Sequence, residues 1–125
     1  MKKIFLSLLL CTVMATGLSA QKYSLKSLVG KWEAVDGAGI EVIDSTKIFL
    51  TYHGERKQIS SYQADFSKTP CWFDFIIRDG ATTITLKSLL LFVSDDLLQW
   101  QVFEDIRPDN FDASVGNIMN LKRKR

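Results

Sequence analysis

Trp72-Phe73-Asp74-Phe75-Ile76-Ile77-Arg78 leads into Asp79-Gly80, and Thr83-Ile84-Thr85-Leu86-Lys87-Ser88-Leu89-Leu90-Leu91-Phe92-Val93 leads out of it. In the first run Phe73, Phe75 and Ile77 share one parity, with Asp74 and Arg78 on the other. In the second, Ile84, Leu86, Leu90 and Phe92 alternate in the same way. Period-two alternation is the signature of a half-buried strand, and Asp-Gly between two such runs signals a tight hairpin turn. Two long β-strands joined antiparallel are therefore the expected centre of the molecule.

The flanks repeat the pattern. Downstream, Ser94-Asp95-Asp96 turns the chain into residues 97–103, where Leu98, Trp100 and Val102 alternate with Gln99 and Gln101. A last strand is expected around residues 117–123, after an irregular stretch containing Arg107-Pro108-Asp109-Asn110. Upstream, strands are expected at 31–35, 40–43, 47–53 and 57–66, separated by Asp36-Gly37-Ala38-Gly39, Asp44-Ser45 and His53-Gly54-Glu55. Only residues 22–29 carry helical spacing, with Leu25, Leu28 and Val29 at i, i+3 and i+4. The fold class is thus all-β, with about eight short antiparallel strands after a short N-terminal helical turn. Strands following one another by tight connections predict an up-and-down meander closed into a barrel or packed as a sandwich.

The first 20 of the 125 residues have a different character. Lys2 and Lys3 precede an apolar stretch over 4–13, and Gly17-Leu18-Ser19-Ala20 supplies small residues before Gln21. This order is that of a secretory signal peptide removed after Ala20, and the apolar stretch is too short to span a bilayer, which takes roughly 20 residues. Residues 21–125 are then expected to form a single domain, exported to the periplasm or secreted. Leu8-Leu9-Leu10 before Cys11 lacks the small residue that lipid attachment needs, so no stable membrane anchor is expected. Cys71 stays as a lone thiol at the head of an apolar run, with no His or basic cluster beside it; a buried, inert thiol is expected.

Charge narrows the partners. Without Lys2 and Lys3 the chain has 14 basic and 14 acidic residues, and Lys122-Arg123-Lys124-Arg125 holds four of the basic ones. The remaining body is net acidic, so it lacks the basic face that nucleic acid requires.

Gly30-Lys31-Trp32 opens the first strand after the helical lead-in. It resembles the Gly-x-Trp entry of lipocalins and their smaller relatives, in which the Trp closes one barrel end under a basic residue from the last strand. Arg123 stands at the matching place. The order continues with Tyr62-Gln63-Ala64-Asp65-Phe66-Ser67-Lys68-Thr69-Pro70, Trp72-Phe73-Asp74-Phe75 and Arg107-Pro108-Asp109-Asn110-Phe111. Over residues 24–124 the chain looks like short bacterial extracytoplasmic lipocalin-like domains. The Thr-Asp-Tyr lipocalin signature is absent. The resemblance implies an eight-stranded barrel, with Gly30, Trp32 and Arg123 as its structural closure.

Catalytic constellations are sparse. His53 is the only histidine and sits beside Gly54 in an expected turn, which excludes multi-histidine metal sites; no Gly-x-Ser-x-Gly elbow exists. In Asp95-Asp96 and Glu104-Asp105, neighbours on a strand point to opposite faces, so neither pair makes an acid/base couple by itself. No Ca²⁺ loop and no phosphate-binding glycine loop occur. No enzyme activity, cofactor or metal is expected. Asp74, opposite in parity to Phe73 and Phe75, is expected in a surface or structural hydrogen bond.

The aromatic set is the remaining lead. Tyr52, Tyr62, Phe75, Phe92 and Trp100 are the candidate barrel lining and ligand-binding residues, with Ile48, Leu50, Leu90 and Met119 beside them. Small barrels fill with side chains and wider ones keep a cavity. Two functions follow: a binding module for a small apolar or amphipathic ligand in the barrel, or a protein–protein interaction or inhibitor domain with a filled core. Leu89 and Leu91, opposite in parity to Leu90 and Phe92, are expected to be covered by a loop or to form an exposed partner surface.

Overall fold

A computed structural model describes residues 23–124, so the expected signal peptide lies outside the described residues. A single helical turn, α1 (Leu25–Leu28), precedes nine strands: β1 (Gly30–Glu33), β2 (Ala38–Asp44), β3 (Lys47–Tyr52), β4 (Glu55–Gln58), β5 (Ser61–Asp65), β6 (Cys71–Asp79), β7 (Thr82–Ser94), β8 (Leu97–Phe103) and β9 (Met119–Lys124). All nine form one antiparallel sheet in the order β4-β3-β2-β1-β9-β8-β7-β6-β5. The sheet curls as a half-barrel.

The closed eight-stranded barrel is therefore corrected. The run 57–66 does not make one strand: it breaks at Ile59-Ser60 into β4 and β5. The Ile59 amide donates to Ile48 of β3 at 3.0 Å, and the next amide, of Ser60, donates to Ile76 of β6 at 2.7 Å. The chain thus transfers its pairing from one edge of the sheet to the other. Beyond that crossing point β4 and β5 are separate edges rather than a shared seam.

Register explains the core. Trp32 lies opposite Ile40, Ile40 opposite Leu50, and Val42 opposite Ile48. On the other half, Leu90 lies opposite Trp100, and Trp100 opposite Met119. These residues share one face of the sheet, which curls around a single cluster with Trp32, Ile40, Phe73, Leu90, Leu98 and Leu121 all fully buried. Burying side chains of this size removes apolar surface worth about 1.5–3 kcal/mol each. Ser88 stands among them, its hydroxyl donating to the Phe73 carbonyl at 2.5 Å.

The outer face carries a second layer. Residues 104–118, between β8 and β9, fold back as a strap over β6–β8 instead of looping into solvent. Gln101 pins it: its side-chain amide donates to the carbonyls of Asp112 (2.7 Å) and Gly116 (3.2 Å), and its oxygen accepts from the Asp112 amide at 2.9 Å. Leu89, whose cross-strand neighbours Trp72 and Gln101 both hold the strap, is fully buried beneath it, and Leu91 is half-buried.

Candidate functional site

One end of the half-barrel is organised around Trp32. Its indole N–H donates to the Leu28 carbonyl at 2.9 Å, tying β1 to α1. The Arg123 guanidinium lies over the ring, 4.2 Å from its centroid. It also donates to the carbonyls of Val29 (2.6 Å), Ser27 (2.8 Å) and Asp95 (2.9 Å), and to the Asp96 carboxylate at 3.1 Å. A planar fork with five donors suits such a set of carbonyls, whereas an ammonium cannot span it. Gly30 is required beneath: its φ is +134°, and a Cβ there would stand 2.8 Å from Arg123 Nη1.

The five candidate lining residues are placed unequally. Phe75, Phe92 and Trp100 are buried in the core, with Phe75 and Trp100 ring centroids 6.0 Å apart. Tyr62 is half-buried at the edge of that cluster, and its hydroxyl donates to the Ser45 carbonyl at 2.8 Å. Tyr52 does not line the interior. It keeps the parity of Ile48 and Leu50 but is 56% exposed, because it is the last residue of β3 and stands beyond the core beside His53. Alternation predicts the side of a sheet and says nothing of depth along it.

The interior is packed by these side chains, and the concavities lie around it. One of these, about 710 Å³, is a groove between the strap and the end of β8, lined by Val102, Phe103, Ile106, Pro108 and Val115 together with Glu104, Asp105 and Asp112. Ile106 and Val115 are 84% and 62% exposed on its rim. Asp112 accepts from the Ser114 hydroxyl (2.6 Å) and amide (3.0 Å), which hold its carboxyl below the usual range and keep it charged. A smaller concavity, about 300 Å³, opens at the β4–β5 break and is lined by Ile48, Ile59, Tyr62 and the serines and threonine around them. The Trp100 indole N–H is buried and makes no hydrogen bond among the described residues.

Arg107 fixes the groove's wall. Its guanidinium stacks 3.9 Å over the Trp72 ring and is ion-paired with Asp74, while Lys68 lies 4.6 Å over the same ring. Asp74 thus serves a structural ion pair on the outer face. The strap and its Gln101 pins were not legible in the sequence, where Gln101 reads as an ordinary outward strand residue. The turns had a signal: Asp44-Ser45-Thr46, Asp65-Phe66-Ser67 and Asp112-Ala113-Ser114 repeat Asp-x-Ser/Thr, and in each the carboxylate accepts from the hydroxyl and amide two residues on.

Cys71 is half-buried and free; burial pushes its thiol up, and the Asp65 carboxylate adds to the shift. His53 is exposed in the β3–β4 turn, with φ +49°. Among the described residues no three or more His, Cys, Asp or Glu side chains gather where they could hold a metal ion, and no helix is long and apolar enough to cross a membrane. No family model, curated protein or solved structure matches the chain.

Proposed function

We propose that this chain is a non-enzymatic, extracytoplasmic, lipocalin-like binding module that holds its partner at the end of β8, in the groove beside the strap. The observation that carries this reading is the location of the free volume. Aromatic and aliphatic side chains occupy the interior, whereas the 710 Å³ groove is open and combines an apolar floor with three carboxylates. That combination suits an apolar protein segment bearing positive charge: the floor supplies burial, and Glu104, Asp105 and Asp112 select the sign. Export rests on the order of charged, apolar and small residues in the first 20 positions. The kinship rests on Gly30, Trp32 and Arg123.

Calorimetric titration with basic amphipathic peptides, against acidic peptides of the same apolar content, tests the reading. Saturable binding of the basic set, weakened by Asp105→Lys and by Val115→Asp, is expected. A second reading, a small amphiphile entering at the β4–β5 break, is favoured by the opening beside Tyr62 and by the unbonded Trp100 indole. Saturable binding of fatty acids or bile-acid-like amphiphiles, insensitive to Asp105→Lys, would move the function there. N-terminal sequencing of exported protein should begin at or near Gln21.

A further inference from the structure

β7 runs from Thr82 to Ser94, but β8 accompanies it only from Lys87, which lies opposite Phe103. At Phe103 β8 ends and the chain leaves as the strap. β6 covers the other edge of β7 all the way to Thr82. Residues 82–86 therefore have one edge paired and one bare, and among the described residues no backbone hydrogen bond reaches the bare edge. In an antiparallel strand every second residue turns its N–H and C=O to a given edge, so this is an open pairing template.

The two terminal strands of the sheet are guarded and this edge is not. β4 is four residues long, and three of them are charged: Arg56 is ion-paired with Glu41 at 3.0 Å and Lys57 with Asp79 at 3.3 Å. β5 is short and tethered through Tyr62 to Ser45. Short strands and edge charges are the usual devices against edge-to-edge association. Thr82-Thr83-Ile84-Thr85-Leu86 has no charge, proline or glycine, and four of its five residues are β-branched; Ile84 is 41% exposed. Such a segment favours strand addition.

We propose that this edge pairs with the same edge of a second copy of the chain, antiparallel about a two-fold axis at Ile84. Ile84 then faces the second copy's Ile84, Thr83 faces its Thr85, and Thr82 faces its Leu86. The segment is self-complementary: an isologous contact brings no like charges together, and Thr–Thr and Ile–Ile are favourable cross-strand pairs. This register uses all five free residues. The two-fold makes both ends alike: a two-residue slip toward Lys87 would drive each copy's Thr82 past the other's Phe103, and a slip the other way would set each Leu86 opposite Gly80 in the turn. The contact is separate from the groove's partner and does not depend on it.

Two measurements on the exported chain test the inference. Sedimentation equilibrium from about 5 to about 500 µM should show a concentration-dependent dimer, and Ile84→Lys, which sets two ammonium groups face to face, should raise its dissociation constant at least about tenfold. In a Cys71→Ser background, Ile84→Cys should form an intermolecular disulfide readily under mild oxidant. Directly opposed antiparallel residues have Cα atoms about 4.5–5.5 Å apart, within disulfide reach, whereas Thr82 and the second copy's Thr82 would stand about 14 Å apart. Crosslinking at 84 but not at 82 supports the pairing even where the lysine variant folds poorly. A monomer at every concentration, or equal crosslinking at 82 and 84, would overturn it.

Discussion

Two arginines lie across two tryptophans in this molecule, and they hold different things. Arg123 over Trp32 closes one end of the sheet, and its guanidinium spends its donors mainly on backbone carbonyls of α1, of the residue following it and of the β7–β8 turn. Arg107 over Trp72 holds the strap to the outer face, and its polar partner is one side chain, Asp74. Trp32 is fully buried; Trp72 is half-buried. A clamp on several carbonyls depends on the shape of the guanidinium, since a single ammonium cannot reach them all. A clamp on a carboxylate depends mainly on charge. The same pair of residue types therefore makes a fixed closure at one place and a more forgiving latch at the other.

The largest effect should come from Trp32→Ala, which removes a fully buried indole from the core and is expected to cost about 3–5 kcal/mol in urea unfolding. A loss under about 1 kcal/mol would show that the Trp32 end is no more fixed than the strap. The next test separates the clamps directly. Arg123→Lys should cost about 1–3 kcal/mol, because the Val29, Ser27 and Asp95 carbonyls cannot share one ammonium. Arg107→Lys keeps the charge opposite Asp74 but loses the plane stacked on Trp72, and with one polar partner to satisfy it should cost less than Arg123→Lys, about 0.5–1.5 kcal/mol. Equal losses would erase the distinction.

Acid should loosen the strap before the Trp32 end. The Asp112 carboxyl is held low, first by the Ser114 hydroxyl and then by its amide. A lowered folded-state value means that its contribution is fully present above the unfolded value of about 4 and is lost as the pH falls through the folded one. Amide exchange followed from pH 5 to pH 2 should show residues 112–116 opening earlier than β1 and β9, and Asp112→Asn should remove that early step. The smallest effect is expected from Tyr52→Ala, which lies in neither clamp and is mostly exposed: within about 0.5 kcal/mol of the parent. A larger loss would place Tyr52 in the core after all.

Much of the strand pattern was legible from alternation, because burial on one face of a sheet imposes period two on the sequence. β8 falls on the expected residues 97–103, β3 is one residue shorter at its end than expected, and β6 and β7 are one residue longer at each end. The interior positions of Phe75, Phe92 and Trp100 follow from the same rule. Tyr52 escaped it because alternation has no term for distance from the end of a sheet. The groove escaped it because its floor and rim come from β8 and from a strap of irregular chain with no period at all.

The residues by themselves determined the all-β class, the β6–β7 hairpin and its Asp79-Gly80 turn, and which side chains share a face, since these follow from local alternation and turn chemistry. Tertiary structure alone decided that the pairing of 57–66 passes from β3 to β6 at Ser60, so that the sheet stays open. It also decided that residues 104–118 cover Leu89, that Arg107 finds Asp74 thirty-three positions away, and that Thr82–Leu86 is left with a bare edge. Each of these depends on where two distant stretches of backbone come to rest. That is set by the curl of the whole sheet around its core, and no window of neighbouring residues contains it.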